Sequence, residues 1–180
     1  LRILLLIYTV ERYWRTVRND WGDFYCQING IVMETSYKKI LIAIDNSAYS
    51  MKAAKAGFSL AHALKAAIGL LYVVDKSKEV VNADLGITPG QSQTVLLNEA
   101  EKTIGQYIRL YDGVEQVEKF APEGIPGEEI VNISKEWGAD LIVMGTHGRT
   151  ALGKMLAGSV AEYVIHHATI PVMITPPGME

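Results

Sequence analysis

At 180 residues the chain is long enough for one domain with a sizeable core and too short for two comfortable ones. Its 17 basic and 20 acidic residues, net charge −3, leave no electrostatic footprint for nucleic acid, and 49% apolar residues against 21% charged exclude a disordered chain. The single cysteine, Cys26, excludes an intrachain disulfide framework and a cysteine-rich zinc site, and points to a reducing compartment, the cytoplasm.

Residues 1–32 differ from the rest. The apolar opening Leu1 to Val10 is about half the ~20 residues of a membrane span, and Glu11-Arg12-Tyr13-Trp14-Arg15 stands where a signal peptide would carry a small-residue cleavage site. Met33 precedes the first clear strand. The expectation is therefore a domain over 33–180 with Met33 as its native start, and residues 1–32 as an N-terminal extension or upstream translation.

From Lys39 onward short apolar runs alternate with amphipathic stretches, the pattern of βα units around a parallel sheet. Ile40 to Ile44 is continuously aliphatic, as a strand covered on both faces should be, and it closes at Asp45. Asn46 to Ser50 supplies turn and capping chemistry. Met51, Ala54, Phe58, Ala61 and Leu64 then mark one face of a helix that Gly69 is expected to break. Leu70 to Val74 is a second buried strand, closed by Asp75. Lys76 to Gly90 lacks a clean period and reads as a long connection. A second helix follows through Leu97, Ala100, Ile104 and Tyr107. Val114 to Phe120, with three charges, reads as an edge strand. Ile130, Ile133 and Trp137 give a third helix that opens on Glu128-Glu129 and stops at Gly138. Asp140 to Met144 is the fourth strand, Val160, Val164 and Ile165 the fourth helix, and Pro171 to Thr175 the last strand.

Between the fourth strand and fourth helix lies Gly145-Thr-His-Gly-Arg-Thr-Ala-Leu-Gly-Lys-Met-Leu-Ala-Gly-Ser159. A Walker A loop would match Gly148, Gly153 and Lys154, but Met155 stands where a hydroxyl should hold magnesium, and the stretch follows the fourth strand instead of opening the domain. A purely structural role explains Ser159 and Glu162 as a capping box. It leaves unexplained four glycines in fifteen residues and a loop free of acids. The third possibility is a nucleotide site, with close backbone approach at Gly145 and Gly148 and phosphate at the amides of Gly158, Ser159 and Val160.

Gly145, Gly148, Gly158 and Ser159 stand in the order Gly, two residues, Gly, nine residues, Gly, Ser. With the opening Lys-Lys-Ile-Leu-Ile-Ala-Ile-Asp and with Gly-Ala-Asp-Leu-Ile-Val-Met-Gly-Thr-His-Gly, this pattern resembles the ATP-binding branch of the universal stress protein family over Lys38 to Thr175. The resemblance implies one α/β domain, an open sheet of five parallel strands in the order 3-2-1-4-5 with helices on both faces. It also implies an adenine-nucleotide site at the carboxyl ends of the first, second and fourth strands. Ala43 and Asp45 match positions near base and ribose, Val73 the one whose backbone reads the adenine edge, Met144 and Gly145 the ribose side, and Gly148, Gly158, Ser159 and Val160 the phosphates. Relatives often carry Pro where Ala43 stands. ATP, with Mg²⁺, is the implied ligand, a homodimer through the last strand the implied assembly, and stress response the implied role.

Other assignments stay open at this point. Asp45 caps a helix or contacts ribose, or does both. His147 touches phosphate or is merely solvated, and Arg149 and Lys154 meet a polyphosphate tail or only water. His166 and His167 are adjacent on a helix and cannot face one metal, and His62 is isolated, so no metal site is expected. Ser159 lacks a nucleophile elbow and no paired carboxylates stand near the phosphates, so binding is expected and catalysis is not. The competing function is a nucleotide-independent protein-interaction module of the same fold. Neither nucleic acid nor membrane is an expected partner.

Overall fold

The computed structural model describes residues 15–18, 24–28, 31–34, 37–78, 89–111, 117–146 and 158–176. Three short strands, β1 (Arg15–Arg18), β2 (Phe24–Ile28) and β3 (Ile31–Glu34), form an antiparallel sheet in sequence order. The second sheet holds β4 (Lys39–Ile44), β5 (Ala67–Tyr72), β6 (Val117–Phe120), β7 (Leu141–Gly145) and β8 (Val172–Thr175), all parallel. Its order is β6-β5-β4-β7-β8, so counting within this sheet the strands run 3-2-1-4-5 as expected. The described helices are α1 (Ala48–Leu64), α2 (Pro89–Leu110), α3 (Pro126–Trp137) and α4 (Ser159–His167), with a 3-10 turn at Lys76–Lys78.

Strand alternation sorts the core into two layers. Ile40, Ile42, Ile44, Ile68, Leu70, Tyr72, Leu141 and Val143 pack on one side with Ala54 and Phe58 of α1 and Ala100, Ile104 and Tyr107 of α2. Leu41, Ala43, Leu71, Ile142 and Met144 pack on the other with Ile130 and Val131 of α3 and Ala161 and Val164 of α4. Central strands covered on both faces have no polar side, which is why β4 and β7 read as unbroken apolar runs. Each fully buried Ile or Leu contributes roughly 1.5–3 kcal/mol.

Several element ends differ from expectation. Helix α1 stops at Lys65, whose φ of 54° puts it in the left-handed region, with its N–H turned back to the carbonyls of Ala61 and His62. Gly69 is therefore not a helix breaker. It sits inside β5, where a Cβ would come within 2.9 Å of the Trp137 ring and 3.0 Å of Leu41 and Phe120. Met51 is 39% exposed, because capping by Ser47 starts the helix at Ala48 and turns Ser50 inward in its place. Helix α2 begins at Pro89, within the stretch read as a connection, and β6 is described only from Val117.

At the amino end of the sheet Asp140 Oδ2 accepts the amides of Lys38 at 2.8 Å and Lys39 at 2.9 Å, pinning β4 to the turn before β7. At the carboxyl end the chain leaves β4 toward β5 on one side, while β7 flanks it on the other. Open α/β sheets form their ligand crevice at such a reversal of winding. No described helix is long and apolar enough to cross a membrane.

Candidate functional site

The registers Ile44↔Tyr72 and Ile42↔Val143 put the ends of β4, β5 and β7 in one rank, with Asp45, Val73 and Thr146 the next residues out. Ala43 and Met144 are buried at 8% and 5% exposure just below that rim. Together with the half-buried Val73 and Val160 they belong to one apolar cluster on the α3/α4 face. Residues more than a hundred positions apart in sequence thus meet at one end of one face.

Val73 is placed by its neighbour. The Val74 N–H donates to the Pro122 carbonyl at 2.8 Å, and the Val74 carbonyl accepts the Gly124 N–H at 3.0 Å. Both Val74 groups therefore point toward β6. Backbone groups alternate along a strand, so those of Val73 point the opposite way, toward the crevice beside β4.

Asp45 does not cap α1. Its Oδ1 accepts the Ser47 N–H at 2.9 Å, an Asx turn, while Ser47 is the N-cap and its Oγ accepts the Ser50 amide at 3.1 Å. The turn is held from behind by α2. Ser50 Oγ donates to the Asp45 carbonyl at 2.6 Å, and the Tyr107 hydroxyl lies 3.0 Å from the same carbonyl and 2.6 Å from Ser50 Oγ. Burial pushes the Tyr107 phenol above its ordinary range, the Asp45 charge adds to this, and the Ser50 hydrogen bond opposes it. Asn46 Nδ2 donates to Glu99 at 2.6 Å and Asn46 Oδ1 accepts from the Thr103 hydroxyl at 2.8 Å.

Gly145 ends β7 opposite Thr175. A Cβ there would lie 3.0 Å from the carbonyl carbon and Cβ of Tyr49, so the first turn of α1 packs directly on this glycine. The stretch that follows is tied at its base: the Gly158 N–H donates to the Thr146 carbonyl at 2.7 Å, and the Thr146 N–H to the Thr175 carbonyl at 3.1 Å. Gly158, not Ser159, is the N-cap of α4, with extended φ −74° and ψ 161° and no side-chain cap. The expected capping box is absent because the helix starts one residue earlier, with Ser159 at its first position and exposed. The first-turn amides of α4 have no intrahelical acceptor and, among the described residues, no side-chain cap, at the positive end of the helix dipole. That arrangement suits an anion.

Of the expected site residues, Ala43, Asp45, Val73, Met144, Gly145, Gly158, Ser159 and Val160 gather at this end of the sheet. His147, Gly148 and Arg149, with Lys154, lie outside the described residues. Sequence reading missed Thr146, which gives no motif signal, and Glu99, Thr103 and Tyr107, whose spacing of four on α2 is a signal that the apolar stripe obscured. A separate groove of about 330 Å³ lies between α3 and α4, lined by Glu128, Val131, Asn132, Lys135, Tyr163 and His167. It contains none of the expected residues.

A model of the universal stress protein family matches residues 36–176. The chain belongs to the universal stress protein family. It is 37% identical over 163 residues to universal stress protein MJ0531 of Methanocaldococcus jannaschii, covering 83% of this chain and 89% of that one. The solved structure of MJ0577, a universal stress protein of the same organism, superposes with a TM-score of 0.71 at 30% identity, over 81% of this chain and 99% of that one. The fold also matches a universal stress protein from Archaeoglobus fulgidus solved in complex with dAMP, with a TM-score of 0.57 at 20% identity, over 77% of this chain and 98% of that one.

Proposed function

We propose that this universal stress protein binds an adenine nucleotide, ATP with Mg²⁺, at the carboxyl ends of β4, β5 and β7, and acts as a nucleotide-binding regulatory or sensor module in stress response. The observation that carries the proposal is the amino end of α4, which has no side-chain cap among the described residues and shares an apolar cluster with Val73, at the end of the sheet where Asp45 follows β4. In this reading the amides of Ser159 and Val160 receive phosphate, the Gly158 amide expected there being taken by the Thr146 carbonyl, Asp45, Met144 and Gly145 adjoin the ribose, and Ala43 and Val73 supply an apolar wall and backbone groups for the base. His147, Gly148 and Arg149 belong to the same proposal through the family pattern. The ligand class is supported by the Archaeoglobus fulgidus relative, a protein of this fold that was solved with dAMP. Among the described residues no group of three His, Cys, Asp or Glu is arranged to hold a metal. In this reading Mg²⁺ is carried on the phosphates, where it offsets their charge.

The proposal is of binding without turnover, in the cytoplasm, by a homodimer that pairs through the edge strand β8. Titration calorimetry of the purified protein with ATP, ADP and cAMP tests it: saturable binding of ATP is expected, and none with any of the three would overturn it. ATP incubated with the protein is expected to hydrolyse at the uncatalysed rate. A second reading, an interaction module that needs no nucleotide, is favoured by one contact. The close packing of Tyr49 accounts for Gly145 without any ligand.

A further inference from the structure

Helix α2 turns a polar stripe toward the Asp45 turn. Glu99, Thr103 and Tyr107 are spaced by four residues and so lie on one helix face. Each grips the segment between β4 and α1. Glu99 takes Asn46 Nδ2 at 2.6 Å, Thr103 reaches Asn46 Oδ1 at 2.8 Å, and Tyr107 closes a triangle with Ser50 Oγ and the Asp45 carbonyl. Thr103, Tyr107 and Ser50 are buried, at 2%, 2% and 4% exposure, so the bond between Tyr107 and Ser50 is shielded from water, while Asn46 at the outer end of the stripe is exposed. The same helix also reaches the β5 side of the crevice. Gln93 Nε2 donates to Glu123 at 2.7 Å, Lys76 pairs with Glu123 at 2.9 Å, and Glu123 bridges Val74.

An Asp that meets a ligand hydroxyl must present its carboxylate at a fixed place. One oxygen of Asp45 is already engaged by the Ser47 amide, which orients the group but leaves its position to the backbone of the turn. That backbone is held by Ser50 and Tyr107. We infer that Thr103 and Tyr107 are positioning residues: through Asn46, Ser50 and the Asp45 carbonyl, α2 sets where the Asp45 carboxylate stands, and with it the preference of the site for a ribose bearing hydroxyls. The inference rests on the nucleotide reading of this site. Neither residue needs to touch the ligand.

The test compares ATP with 2′,3′-dideoxy-ATP by calorimetry, on the parent protein and on Tyr107→Phe, Thr103→Val and Asp45→Asn. The parent should prefer ATP. Tyr107→Phe and Thr103→Val should each weaken ATP binding by roughly three- to tenfold, the worth of one ordinary hydrogen bond, with little change for the dideoxy nucleotide. The ATP preference then falls toward that of Asp45→Asn. A role in stability alone would lower the melting temperature and leave the ratio of the two affinities untouched, and that result overturns the inference. So does a parent that binds both nucleotides equally, although the nucleotide reading would survive it. A parent that binds neither removes the nucleotide reading and this inference together.

Discussion

The amide of Gly158 and the carbonyl of Thr146 are joined by a 2.7 Å hydrogen bond, which closes the base of the glycine stretch. The strand end and the helix start are thereby fixed relative to each other. The amino end of α4, the proposed phosphate end, is thus tied to the end of β7 by a backbone bond.

Gly158 also offers a substitution that separates folding from binding. Asp is a favoured N-cap residue, and a carboxylate suits the positive helix end. Gly158→Asp should therefore keep or raise stability, by up to about 0.5 kcal/mol. The same carboxylate would stand against the phosphates, so ATP binding should be lost. Thermal melts and calorimetry on the one variant check both halves, and retained affinity would show that the phosphates are not at α4.

Gly145→Ala is expected to act mainly on the fold. Its Cβ would meet backbone atoms of Tyr49, which cannot swing aside as a side-chain tip does. A cost of roughly 1–3 kcal/mol follows from overpacking, read as a shift in the urea midpoint. An unchanged midpoint would mean that α1 moves away freely.

Lys65 bears a side chain in the left-handed region at φ 54°, the position where helices most often place glycine. Lys65→Gly should stabilise the protein by about 0.5–1 kcal/mol, the left-handed strain relieved less the extra chain entropy of glycine. Denaturant unfolding measures it, and a destabilised variant would contradict the argument.

Alkaline pH should destabilise the protein through three of its tyrosines. Burial raises the phenols of Tyr37, Tyr107 and Tyr111 above the ordinary 10.0, with Asp140 adding to Tyr37 and Asp45 to Tyr107. A raised folded-state value means that the unfolded chain releases its protons first as pH climbs past about 10. The stabilisation is complete below that pH and is lost as pH rises through the folded-state values. Urea midpoints at pH 8 and pH 11 should differ, and Tyr107→Phe should flatten the difference. Equal slopes for variant and parent would remove Tyr107 from the account.

Strands β4 and β7 were legible because burial on both faces leaves an unbroken aliphatic run, and from them the parallel sheet followed. Gly69 was not, because a glycine between two apolar stretches looks like punctuation until Trp137 and Phe120 are seen to occupy the space beside it. The three-stranded sheet of residues 15–34 was passed over, although β2 and β3 pair Ile28 with Ile31 and the sequence between them is Asn-Gly, a composition that favours tight hairpins. In the site, glycine spacing pointed to the α4 end, but one residue of helix phase decided between Ser159 and Gly158 as cap, and sequence does not resolve that. The support given by Glu99, Thr103 and Tyr107 was hidden since these residues share α2 with a stronger apolar stripe that packs the core.

The pairing of β4 with β7 also bears on how the protein comes to be folded. Lys39 and Asp140, which pin these strands together, are 101 residues apart in the chain. Contacts of such long range form slowly, because a large loop must close before they bring any gain. A nascent chain that has emerged only through α3 would hold β4, β5 and β6 without the strand that completes the centre of the sheet. Its crevice would have one wall, so competence for any ligand at this site arrives only with the last quarter of the protein.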